Sequence, residues 1–85
     1  MENNEYKISV LKNHIEMRKR EIEDYELNIF NFNISLKKAE NNDLLKETNF
    51  IETLERLIYD HKVELEKAKI YLESAEEQLL FFQNN

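Results

Sequence analysis

The sequence predicts an all-α protein: an antiparallel two-helix hairpin, coiled-coil-like, that pairs with a copy of itself into a four-helix bundle. Three observations carry this prediction. The 85 residues include no glycine and no proline, where average usage would supply about ten of the two together, so the residues most turns rely on are missing. Two apolar stripes recur at alternating three- and four-residue steps, the spacing of a helix that packs along a narrow seam. Between them lies one break signal, Glu40-Asn41-Asn42-Asp43.

In chain order, Asn3 and Asn4 suit a helix N-cap, and Glu2 and Glu5 favour the positive end of the helix dipole. Helix one is predicted over about 4–40. Its stripe reads Ile8, Leu11, Ile15, Arg18, Ile22, Tyr25, Ile29, Phe32, Leu36 and Ala39, with Arg18 the single polar member. Lys37 and Lys38 stand near its end, where cations suit the dipole. The turn is predicted at about 41–43, because asparagine tolerates the left-handed conformation at a helix C-cap. Asn42 or Asp43 can then cap helix two, predicted over about 44–83. Its stripe reads Leu44, Glu47, Ile51, Leu54, Ile58, His61, Leu65, Ala68, Leu72, Ala75, Leu79 and Phe82. The whole chain, 1–85, reads as one domain.

A single continuous helix of roughly 120 Å, paired in parallel with itself, also accommodates the stripes. That arrangement would stack Arg18 on Arg18 and Glu47 on Glu47, a costly burial of like charges. Folding at Asn41-Asn42 instead sets Ile8 against Ala75, Ile15 against Ala68, Tyr25 against Ile58 and Ala39 against Leu44. Large residues then meet small ones in three layers, which lets the helices interdigitate.

Apolar residues also lie off the seam: Leu27, Phe30 and Ile34 on helix one, Phe50 and Leu57 beside the seam, and Tyr59, Val63 and Ile70 on helix two. Tyr6, Val10, Leu80 and Phe81 gather at the open end. Patches at helical spacing point to self-association, a homodimer first, or to a docking face for another protein. Arg18 and His61, flanked by Glu21 and Glu64, are predicted to form one polar cluster that fixes the register.

No catalytic arrangement emerges, and a non-enzymatic protein is expected. Glu23 with Glu26, and Glu73 with Glu76, are the nearest to paired carboxylates, on faces predicted to be solvated. A bundle di-metal site needs inward Glu-x-x-His pairs, and none occurs. No cysteine is present, so disulfides and thiolate zinc sites are excluded. Neither cofactor nor metal is expected. The basic run Arg18-Lys19-Arg20, with Lys12, sits among acidic neighbours, and the net charge of −6 argues against a general affinity for nucleic acid. Residues 1–42 carry 7 basic and 8 acidic side chains (−1), and residues 43–85 carry 5 and 10 (−5). The second half, with Asp60, Glu66, Glu73, Glu76 and Glu77, therefore admits an acidic nucleic-acid mimic that blocks a nucleic-acid-binding protein. A structural spacer or assembly chaperone is a further alternative. No apolar run suits a membrane span and the N-terminus is acidic, so a cytoplasmic protein is expected.

Overall fold

A computed structural model of the chain describes residues 4–84, and those residues form helices and their connection only. Helix α1 spans Asn4–Glu40, a single turn α2 spans Asp43–Lys46, and α3 spans Phe50–Gln83. The capping expected of Glu2 and Asn3 lies outside the described residues. Side chains early in α1 meet those late in α3, and those late in α1 meet those further back in α3: Lys7 Nζ lies 5.3 Å from the Phe82 ring centroid, and the Phe32 ring centroid 5.1 Å from that of His61. The two long helices are therefore antiparallel, in a body of 68 × 14 × 13 Å, far shorter than the roughly 120 Å of one continuous helix.

Both stripes bury themselves as their spacing dictates. Leu11, Ile15 and Ala39 of α1 and Leu54, Ile58 and Ala68 of α3 are buried, and every other stripe residue from Ile8 to Ala39 and from Ile51 to Phe82 is half-buried. The core is one layer deep, and among the described residues no side chain is fully shielded from solvent.

The connection departs from the expected tight turn. Helix α1 ends because Asn41 and Asn42 take over its last carbonyls. The Asn41 side-chain amide donates to Lys37 C=O at 3.1 Å, its backbone N–H to Lys38 C=O at 3.2 Å, and Asn42 N–H to Ala39 C=O at 3.0 Å. No left-handed residue is used among the described residues. Asn42 is extended (φ −111, ψ 106), and its Oδ1 accepts from Leu44 and Leu45 N–H at 3.1 and 3.2 Å, capping α2. Helix two does not continue from there. Thr48 Oγ1 donates to Leu45 C=O at 2.7 Å and accepts from Phe50 N–H at 3.2 Å, closing α2 and opening α3. Leu44, expected on the seam, is 78% exposed, Glu47 is exposed too, and Leu45 is half-buried instead.

The register moves with the connection. His61 sits edge-on between Tyr25 (5.8 Å) and Phe32 (5.1 Å), which sets it across from Ile29 rather than Ile22. By the same count Ile8 faces Phe82, Ile15 faces Ala75, Ile22 faces Ala68 and Ala39 faces Ile51, one heptad further along α3 than expected. A shift of a whole heptad keeps the same faces together, and it again pairs large with small in three layers. It also gives Leu79 and Phe82 partners at the start of α1. The residues consumed by α2 and its flanks make up the difference.

Candidate interaction surface

Helical geometry divides the surface around the seam into two flanks and two backs, at about 100° per residue. One flank is bordered on α1 by Lys12, Lys19, Glu26, Asn33 and Glu40 and on α3 by Glu55, Lys62, Lys69 and Glu76, all exposed. The other is bordered on α1 by His14, Glu21, Asn28 and Ser35 and on α3 by Phe50, Leu57, Glu64, Tyr71 and Gln78. The first is the charged flank and the second the neutral flank.

An open groove of about 550 Å³ runs along the neutral flank between the helices, lined by Leu11, Met17, Arg18, Tyr71 and Gln78 among others. It continues to the open end as a hollow of about 400 Å³ beside Val10, His14 and Phe82. A third hollow, near Ile8 and Lys12, is lined by α1 alone.

Arg18 leaves the seam toward this groove. Its Nη1 donates to Glu21 Oε1 at 2.9 Å, and its guanidinium lies 4.6 Å from the Tyr71 ring centroid. The guanidinium thus keeps a carboxylate and an aromatic face while its stem covers the seam. His61 stays inside: Nδ1 lies 2.9 Å from Leu57 C=O, and because a carbonyl only accepts, Nδ1 carries the proton. Glu64 accepts from Lys67 Nζ at 3.0 Å, and this hydrogen bond, with the carboxylate charge behind it, holds Lys67 above the usual lysine pKa. The four residues expected to form one polar cluster are therefore divided. Arg18 with Glu21, His61 with its two rings, and Glu64 with Lys67 are three separate groups, because the heptad shift carries His61 and Glu64 away from Arg18.

The expected apolar face is divided as well. Val10, Phe50, Leu57 and Phe81 lie toward the neutral flank. Tyr6, Leu27, Ile34, Val63 and Ile70 lie on the backs of the two helices, with Phe30, Tyr59 and Leu80 turned toward the charged flank. Val10, Leu57 and Val63 are half-buried and the others are exposed. Met17 and Tyr71, both exposed, belong to this surface as well, although neither stands on a seam stripe. Tyr71 falls in the seven-residue series begun by Phe50 and Leu57, and extending that series past Glu64 would have found it.

The carboxylates considered for acid–base chemistry, Glu23, Glu26, Glu73 and Glu76, are all exposed. Among the described residues no three His, Asp or Glu side chains converge as metal ligands. Of the basic run, Lys19 pairs with Glu16 at 3.9 Å and Arg18 with Glu21. On the acidic half, Asp60, Glu66, Glu73, Glu76 and Glu77 are exposed, with Glu66 accepting from Lys69 at 3.3 Å. Among the described residues no helix is long and apolar enough to cross a membrane. No protein-family model, no curated protein and no solved structure matches the chain.

Proposed function

We propose that this chain is a non-enzymatic helical interaction module of the cytoplasm, which self-associates and binds a protein partner. Inhibition of that partner is one outcome such binding allows. One observation carries the reading: large apolar side chains stay in solvent on a hairpin whose own seam is already filled. Phe30 and Tyr59 are 67% and 66% exposed, and the register sets them level with each other. Leu27, Ile34 and Ile70 are exposed as well. Aromatic side chains on a rigid helical face are typical anchors in helix-mediated recognition.

The test is a pair of variants, Phe30→Glu and Tyr59→Glu, on tagged protein in cells. The reading predicts that specific co-purifying protein is lost from both while helicity is kept. Equal recovery from wild type and both variants would contradict it.

The acidic-mimic alternative is favoured by the exposure of Glu66, Glu73, Glu76 and Glu77 on α3. It predicts that neutralising these four abolishes binding, that Phe30→Glu leaves it intact, and that salt weakens it.

A further inference from the structure

We infer that the neutral flank is the face on which a second copy of this chain packs, turning its groove into the core of a four-helix bundle. The inference rests on the self-association reading above and assigns the surface that serves it.

The first argument is area. Folded monomers of 10.4 kDa expose about 5,400 Å², and this chain exposes 6762 Å², an excess of about 1,400 Å². Two copies that each cover the excess bury about 2,800 Å² in total, within the range of obligate homodimers. A core one layer deep, without a fully shielded side chain, is what such a half-assembly looks like.

The second argument is charge. The charged flank would bring whole rows of lysines and glutamates into an interface, where desolvation is costly even though Lys19 and Lys69 are paired within the chain. On the neutral flank Glu21 pairs with Arg18 and Glu64 with Lys67 within the chain, and the two other charged residues of the groove, Arg20 and Asp24, are of opposite sign. A two-fold copy therefore meets Leu57, Tyr71, Asn28 and Ser35 and no bare row of like charge. A two-fold interface presents the same patch from both sides, and this patch is compatible with itself.

The third argument is shape. Two hollows lined by both helices lie on this flank, and they form one groove from the open end to Asp24. Packing here also leaves Leu27, Phe30, Ile34 and Tyr59 outside the bundle, so both kinds of contact fit on one chain.

The chain has no cysteine, so single cysteines report position cleanly. Asn28 and Asn33 are both exposed on α1, on the neutral and the charged flank. In the assembled protein Asn28→Cys is expected to be alkylated at least roughly tenfold more slowly than in the unfolded chain, and Asn33→Cys at nearly the unfolded rate. In parallel, sedimentation is expected to find Leu57→Glu monomeric and Tyr59→Glu dimeric. Protection of Asn33→Cys with Asn28→Cys open, or a helical Leu57→Glu that remains dimeric, overturns the assignment. If Leu57→Glu unfolds, the alkylation contrast still decides. A monomeric wild type removes the self-association reading and this assignment together, whereas a dimeric wild type with Asn28→Cys open removes the assignment alone.

Discussion

On one side of the seam the core is bordered by Lys12, Lys19, Glu55 and Lys62; on the other, the same core is bordered by Asn28, Ser35, Leu57 and Tyr71. A hairpin that worked alone would need both edges solvated, and the charged flank shows how that is done. Long charged side chains cover the rim of the seam with their stems and keep their heads in water. The neutral flank lacks that cover over most of its length. Of the charges that do occur there, Arg18 is folded back onto Glu21 and Tyr71 and Glu64 is held by Lys67. The difference is not demanded by the hairpin, since both flanks border identical layers. It is what a second neighbour on one side would require.

The comparison can be broken at several strengths. The largest effect comes from the seam both flanks share. Leu54→Ala removes a buried side chain and should cost about 2–5 kcal/mol. Urea unfolding followed by circular dichroism at fixed protein concentration checks it, since assembly links stability to concentration. A loss well under 1 kcal/mol would mean that the seam is not the core.

The flanks themselves come next. Leu57→Glu should weaken dimerisation by roughly 2 kcal/mol or more, as loss of an interface anchor does. Tyr59→Glu, two residues on but around the helix, should leave it nearly unchanged. Sedimentation equilibrium reads both, and equal effects would erase the distinction between the flanks.

A control outside both flanks lies in the connection. Asn42→Ala removes the side chain that accepts from Leu44 and Leu45 and should cost about 1 kcal/mol, with the dimer constant unaffected once both forms are folded. Arg18→Met keeps the stem but loses the ion pair and the ring contact. In the isolated hairpin, where the Arg18 and Glu21 side chains are 38% and 43% exposed, solvent screening holds that loss to about 0.5–1 kcal/mol, and burial of the pair between two copies raises it.

The smallest effect is the titration of Lys67. Glu64 raises its pKa, so the stabilisation is fully present below the unfolded lysine value and is lost as pH rises through the folded one. Stability in wild type and Lys67→Gln should therefore run parallel through neutral pH and converge in strong alkali. Divergence near neutrality would place another titrating group in the pair.

The two long helices were legible because period decides them. Every residue of the stripe from Ile8 to Ala39 is at least half-buried, and so is every residue from Ile51 to Phe82. The start of helix two and the register were not. Leu44 and Glu47 happen to continue the three-four spacing backward, so periodicity alone carries the helix six residues too far. The competing signal was local: Thr48 and Asn49 are weak helix formers whose side chains bond nearby backbone, and Asn49 followed by Glu52 resembles a helix start. Large-to-small pairing could not choose the register, because both registers give three such layers. The polar cluster failed with it, since Arg18 and His61 share a neighbourhood only in the unshifted pairing. The division of the off-seam apolar residues between flank and back was present in the sequence as heptad position, and it acquires meaning only when both helices are placed side by side.

Small-angle scattering with absolute mass tests the central claim most directly. The account predicts a particle of twice 10.4 kDa whose longest dimension stays near the 68 Å of one hairpin, because two copies lie flank to flank. A mass of 10.4 kDa, or a dimer approaching the roughly 120 Å of an unfolded-back helix, would contradict it.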